Sequence, residues 1–192
     1  MADKVDQSKA IAHRGDVVGG SKVENITNLN FYTPPSTGVV GSLLDTLEME
    51  MSKNIEIQQT IGRLQDFYDR QVPSDGVIGL EAKLRASNRT DDLHRALAKK
   101  ELFVKTLEKW SLYASAQEIF VHLLARAEHE FQSLISPQIN QLSEVEVNSI
   151  TTTRIIDPMV LDCANSPLQI DHTVAMGMVY WLAEQCFVRW HR

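Results

Sequence analysis

The amino-acid sequence predicts a mainly α-helical protein: a helical bundle built on a long α-hairpin, preceded by a short extended or β N-terminal segment. Three observations lead to this prediction. After residue 38, apolar residues recur at steps of three and four over most of the chain. A Ser-x-x-Glu pattern typical of a capping box separates two such stretches. Residues 15–33 differ, because they combine glycine, asparagine and β-branched residues in the manner of short strands.

Composition fits a single cytoplasmic domain. The chain has 192 residues, with 19 basic and 25 acidic side chains and a formal net charge of −6. This balance argues against a surface that is wholly a nucleic-acid footprint. Two cysteines are too few for a disulfide scaffold and favour a reducing compartment. No apolar run reaches the ~18 residues of a membrane span, and residues 1–14 lack the apolar core of a signal peptide, so we expect no membrane partner.

The N-terminal region is expected to be separate from the helical domain. Residues 1–14 are polar and mixed in charge, which predicts a flexible N-terminus. Residues 15–36 are predicted to be an extended, Gly/Asn-rich interaction segment, with loosely alternating apolar residues from Val23 and a stop at Pro34-Pro35. The helical domain is then expected over residues 37–192.

The first helices follow from apolar spacing and breakers. A long amphipathic helix is predicted from near residue 42 to residue 70, because the apolar steps of three and four continue throughout. The sequence Pro73-Ser-Asp-Gly76 is expected to end it. A short helix is predicted around residues 80–86.

Two further helices, near residues 90–113 and 115–136, are predicted to form an antiparallel hairpin. Thr90 and the two aspartates after it suit the start of the first helix. Ser115-Ala-Gln-Glu118 fits a capping box at the start of the second, with reciprocal side-chain to backbone hydrogen bonds. The residues expected to be buried are Leu97, Leu107, Phe120, Leu124 and Phe131.

The C-terminal third contains one ambiguous and one clear stretch. Residues 150–156 are β-branched and are consistent with either a strand or a poor helix. Residues 174–188 are apolar nearly all round, which predicts a helix buried in a core or an interface. Gly177 lies inside this helix at a cost of ~1 kcal/mol against alanine, so we expect another backbone to approach it closely.

Catalytic and cofactor motifs were weighed against simpler interpretations. Gly15 to Lys22 lacks the Gly-Lys-Ser/Thr order of a phosphate-binding loop. His122, His129 and Glu118 share a helix, but their spacing departs from that of di-metal sites, and a solvated face is favoured. We therefore expect no cofactor and no metal.

Two other activities remain as alternatives. Cys163 or Cys186 with His172 as a base would make a thiol enzyme, yet both cysteines lie among apolar residues and are expected to be structural. The basic side chains between Lys99 and Lys109 could form the face of a DNA-binding helical module. Acidic residues on the same helix favour a salt-bridged, solvated face instead.

The C-terminal half resembles a known family. The residues that carry the resemblance occur in order as Phe103-x3-Leu107-Glu-Lys-Trp110, Ser115-Ala-Gln-Glu-Ile-Phe-Val-His-Leu-Leu124, Ile155-Ile-Asp-Pro158, Gly177-Met-Val-Tyr-Trp-Leu182 and Cys186-Phe-Val-Arg-Trp190. This stretch resembles the C-terminal domain of bacterial ABC three-component conflict systems, which are related to Lamassu-type anti-phage systems. Gly15 to Lys22 also resembles a short element found ahead of domains in bacterial conflict proteins.

The resemblance implies a role inside a defence complex. In that family the C-terminal domain is often fused to an effector and held with an SMC-like ABC ATPase and a small middle component. Between Lys22 and Leu93 there is no room for a nuclease or protease domain. The resemblance thus implies a non-catalytic scaffold or adaptor subunit of an anti-phage or anti-plasmid complex, in a homo- or hetero-oligomer, with DNA contacted only through the complex. A reduced effector subunit or a metal or thiol enzyme is the alternative.

The last helix and its tail are the predicted partner-binding region. Large apolar area lies close to residue 192, and tyrosine, tryptophan and arginine are the residue types most enriched at interface hot spots. A wholly intramolecular core helix is the competing interpretation. The predicted partner-binding residues are Tyr180, Trp181, Phe187, Arg189 and Trp190.

Overall fold

The computed structural model describes residues 38–57, 59–69 and 75–191. The chain divides into two units, residues 1–33 and 34–192, and every described residue belongs to the second. The predictions for residues 1–14 and 15–36 lie outside the described residues. Over the described ranges the chain is helical and contains no strand, so the mainly α-helical prediction is confirmed.

The elements follow one another with short connections. They are α1 (Val39–Lys53), α2 (Gly62–Tyr68), α3 (Gly79–Ala86), a 3₁₀ turn (Thr90–Asp92), α4 (Leu93–Trp110), α5 (Ala114–Glu130), a π-helical segment (Phe131–Ile135), a 3₁₀ turn (Ser136–Gln138), α6 (Glu144–Ile150), a second π-helical segment (Thr151–Ile156), α7 (Asp157–Asp162) and α8 (His172–Glu184). Of these, α8 packs most extensively on α4, and α1 packs on α5.

The prediction of one helix from residue 42 to residue 70 is wrong. The first helix, α1, ends at Lys53, and Asn54 takes a left-handed conformation with φ of 50°. The loop that follows is held by the buried side chain of Gln117, whose oxygen accepts from the Ile61 N–H at 2.8 Å. Its amide donates to the carbonyls of Gln59 at 3.2 Å and Ser111 at 2.6 Å. Ile61 still packs against the core, so the apolar spacing continues through the break.

The predicted capping box at Ser115 is also wrong. Helix α5 begins at Ala114, and Ser115 lies inside it. The Ser115 hydroxyl donates to the buried Glu50 carboxylate on α1 at 2.5 Å, and Glu118 pairs with Arg63 at 3.2 Å. A capping box does exist at the start of α6, where Ser143 and Glu146 exchange the expected bonds. The same motif occurs at both sites, and tertiary partners decide which copy caps a helix.

The predicted hairpin consists of α4 and α5, joined by residues 111–113. The two helices meet where Phe103 packs edge-on against Phe120, with ring centroids 5.9 Å apart. Of the residues predicted to be buried, Leu97 is only half-buried. The other four are buried: Leu107, Phe120, Leu124 and Phe131.

Residues 150–156 are helical, which resolves the choice between strand and helix. They continue from α6 through the second π-helical segment into α7. Threonine hydroxyls bond back along the helix, from Thr151 to the Val147 carbonyl at 2.8 Å and from Thr153 to the Ser149 carbonyl at 2.9 Å. Such back-bonding lets β-branched threonines fit a helical backbone.

The helix predicted over residues 174–188 is α8, and it is buried along most of its length. Its start is capped by Asp171, whose carboxylate accepts from the N–H groups of Thr173 and Val174 at 2.8 Å each. Gly177 faces α4 so closely that a β-carbon there would lie 2.9 Å from Cβ of Phe103, which confirms the expected close approach. None of the described helices has both the length and the apolar character needed to cross a bilayer.

Candidate interaction surface

The aromatic side chains at the C-terminal end lie inside the fold. Tyr180, Trp181, Phe187 and Trp190 are between 4% and 9% exposed. Trp190 packs edge-on against Phe131 with ring centroids 6.0 Å apart, and its ring lies 5.8 Å from that of Tyr180. The residues after α8 therefore fold back onto the body of the domain.

A second aromatic group lies around Trp181. Its ring packs edge-on against Phe103 of α4 at 5.7 Å and against Tyr68 of α2 at 5.5 Å. Phe187 packs against Phe67 with centroids 5.2 Å apart. This group ties α2 to α8 and to the tail.

The five residues predicted to bind a partner thus differ in their surroundings. The four aromatic residues form a buried floor, whereas the Arg189 side chain is 44% exposed. Their role in partner binding stays a prediction. In this arrangement Arg189 is the one that reaches solvent, and the aromatic residues shape the surface from below.

A buried lysine, Lys83, holds the end of α8. Its side chain lies inside the fold, and its Nζ donates to the backbone carbonyl of Ala183 in the last turn of that helix. A cation there complements the negative end of the helix dipole. Burial lowers the pKa of Lys83, while the neighbouring Cys186 raises it. Sequence reasoning missed this residue, although Leu80, Lys83 and Leu84 share one face of α3.

Glu184 makes the reciprocal contact at the start of α3. Its Oε2 accepts from the Leu80 N–H at 3.0 Å and lies 3.3 Å from Nζ of Lys100. Gly79 has φ of +83°, and a β-carbon there would be 3.4 Å from Glu184 Oε1. A carboxylate near the first N–H groups of a helix is favourable. The helices α3 and α8 thus satisfy each other's free ends.

Asp75 links the chain ahead of α3 to the C-terminal tail. It accepts from Arg189 at 3.0 Å and lies 3.2 Å from Nε2 of His191. A hydrogen bond from the backbone N–H of Val77 lowers the pKa of Asp75, and His191 and Arg189 lower it further. The carboxylate therefore stays ionised and orients both side chains of the tail.

Exposed side chains surround the buried aromatic floor. Tyr68 is 41% exposed beside Trp181, and Ile78 is 45% exposed next to Gly79. Together with Arg189 they define what we call the C-terminal surface: Tyr68, Ile78 and Arg189. Such a mixture of apolar, aromatic and guanidinium groups is typical of interface anchors.

The thiol and metal alternatives gain little from the geometry. Burial raises the pKa of the Cys163 thiol to about 12, so it is not a thiolate at neutral pH. His172 lies 3.2 Å from Asp157. Among the residues that the structure describes, no three or more His, Cys, Asp or Glu side chains converge as metal ligands.

The basic face of α4 is largely neutralised within the domain. Lys100 pairs with Glu184, Lys105 with Glu101 at 2.7 Å, and Arg95 with Asp92 at 2.7 Å. The Lys109 ammonium lies 5.1 Å from the Trp110 ring centroid. A phosphate-backbone footprint needs cations that are free to replace counterions, which this arrangement does not favour.

Comparison with known proteins identifies the domain that carries these contacts. A sequence model of C-terminal domain 9 (CTD9) of the ABC-three component (ABC-3C) systems matches residues 79–190. No curated protein and no solved structure gives a significant match. The matched range begins at Gly79, beside the Glu184 carboxylate, and ends at the buried Trp190. It covers more than half of the sequence, and the chain therefore belongs to the CTD9 family of ABC-three component systems.

Proposed function

We propose that this chain is a non-catalytic scaffold or adaptor subunit of an anti-phage or anti-plasmid ABC-3C complex. Its helical domain docks with an SMC-like ABC ATPase and positions an effector or middle-component subunit in a hetero-oligomer. The observation that carries the proposal is the family match over residues 79–190. Contact with DNA is made through the complex, in the cytoplasm.

The use of polar groups inside the domain supports a structural role. Lys83 and Glu184 hold helix ends, and the Glu50 carboxylate binds Ser115. The pKa of about 12 for Cys163 suits a packing residue better than a nucleophile. Reactive groups in an enzyme would instead converge on a cleft with matched protonation states.

We propose the C-terminal surface as the docking face. Its floor is rigid, because the aromatic rings beneath it contact α2, α4 and the first π-helical segment. Its exposed groups are of the kinds that bury well: a tyrosine, an isoleucine and an arginine already oriented by Asp75. A rigid floor lowers the entropy lost when a partner orders these side chains.

Co-purification from cells that express the whole system tests this role. With a tag on this chain, we expect the ATPase and the middle component to be recovered together with it. The double variant Tyr68→Ala, Arg189→Glu should reduce recovery, whereas Arg154→Glu, at an exposed arginine of the second π-helical segment, should not. Recovery of the tagged chain without either component would contradict the proposal.

A further inference from the structure

We infer that a cleft between α4, the second π-helical segment and α8 binds a small molecule that carries a phosphate group. The cleft has a volume of about 410 Å³. Its polar lining includes Arg95, Lys99, Asn148, Thr152 and His172. The inference is independent of the docking role proposed above, because it concerns a different face of α8 and a ligand instead of a protein.

The charge of the cleft favours an anion. Lys99 is half-buried, and its ammonium makes no ion pair or hydrogen bond with any residue in the described ranges. Asp92, the acidic residue in the lining, is already paired with Arg95. The lining therefore carries an excess of positive charge in a chain whose net charge is −6. A bound anion would supply the partner that Lys99 lacks.

Neutral hydrogen-bond donors accompany the cations. The Thr152 hydroxyl has no hydrogen-bond partner within the described part of the chain. The Tyr180 hydroxyl also belongs to a lining residue, and burial, followed by the charge of Asp92, raises its pKa, so that it keeps its proton. A phosphate group has enough acceptor oxygens for a lysine and several hydroxyls at once.

The size and walls of the cleft indicate an organic phosphate. Its volume falls within the range of small-molecule sites and exceeds what a phosphate group alone fills. Ile156 and Met176 provide apolar wall for the remainder of the ligand. The wall that contains Thr151, Thr152 and Ile156 is a π-helical turn, a distortion that often marks functional sites.

Calorimetric titration of the full chain tests the assignment. The probes are adenosine 5′-monophosphate, guanosine 5′-monophosphate and ribose 5-phosphate, with adenosine and citrate as matched controls. We expect at least one phosphate monoester to bind while adenosine does not. Lys99→Met should weaken that binding about tenfold or more, because one charge-assisted hydrogen bond is lost. Lys105→Met removes a lysine of α4 that pairs with Glu101 and should leave binding unchanged.

The substitution at Lys99 should leave the fold intact, because methionine keeps the aliphatic stem and the backbone carbonyl that contacts Gly177 is retained. If it unfolds the chain, Thr152→Val serves as the second variant and should also weaken binding. The absence of binding by all three monoesters would overturn the inference, as would equal binding by the variants. Citrate binding without monoester binding would assign the cleft to carboxylates and overturn the phosphate assignment.

Discussion

The backbone carbonyl of Lys99 occupies the space into which any side chain on Gly177 would grow. A β-carbon at Gly177 would lie 2.3 Å from that oxygen, closer than real β-carbon contacts come. The contact joins α4 to α8, the most extensively packed pair of helices in the described domain. Backbone cannot move aside as the end of a flexible side chain can, so this position requires glycine.

Gly177→Ala should therefore destabilise the domain even though alanine is the better helix former. We expect a loss of about 1–3 kcal/mol or more from overpacking, which outweighs the ~1 kcal/mol gained in helix propensity. Chemical denaturation followed by circular dichroism measures it. Gly62→Ala is the control, since nothing lies within 4 Å of a β-carbon there. A stabilised Gly177→Ala variant would show that the two helices are further apart than described.

Trp190→Ala should cost about 3–5 kcal/mol of folding free energy, because it leaves a cavity against Phe131 and Tyr180. It also removes the ring 5.8 Å from the Arg89 guanidinium. Thermal and denaturant melting of the isolated chain check this. Arg189→Ala, next to it but exposed, should cost less than about 1 kcal/mol. Equal, small losses for both would show that Trp190 is outside the core.

Lys83→Met should destabilise the domain by about 1–3 kcal/mol at neutral pH, because the Ala183 carbonyl loses its buried donor. The pKa of Lys83 is lowered in the fold, so the unfolded chain binds the proton more tightly. The wild-type chain should therefore gain stability relative to the variant as the pH rises from the folded pKa towards 10.5. Denaturant melts of both chains at several pH values measure the difference. A difference that does not change with pH would contradict a buried ammonium.

Cys163 should resist alkylation in the folded chain, because its thiol is buried and its pKa is raised to about 12. Cys186 is half-buried and should react first. Mass spectrometry of peptides after iodoacetamide treatment at pH 8 distinguishes the two, with denatured chain as the control in which both react. Rapid labelling of Cys163 in the folded chain would revive the thiol alternative.

Local sequence patterns predict the helices that depend on local composition. The apolar run of α8 predicts a buried helix, and Gly177 within it predicts a close contact; the structure contains both. The break after Lys53 escapes such reasoning, because it depends on Gln117, which lies 56 residues beyond Ile61. The Ser115 capping box fails for the same kind of reason, since its hydroxyl binds Glu50 across 65 residues.

The candidate site divides in the same way. Residue type alone selects the aromatic and arginine residues of the tail, but not which of them reach solvent. Lys83 and Glu184 act on helix ends about 100 residues away in sequence, at Ala183 and Leu80. Such pairings depend on how α3 meets α8, which single-helix periodicity does not contain.

The central claim is that the domain docks through the C-terminal surface, and the dissociation constant for the ATPase component tests it most directly. Titration calorimetry would compare the wild-type chain with Arg189→Glu and with Arg154→Glu. The account predicts at least about tenfold weaker binding for Arg189→Glu, as for loss of one well-packed interface arginine, and unchanged binding for Arg154→Glu. Both variants should melt like the wild type, because both side chains are exposed. Wild-type affinity in the Arg189→Glu chain, or an equal loss in both variants, would contradict docking at this surface.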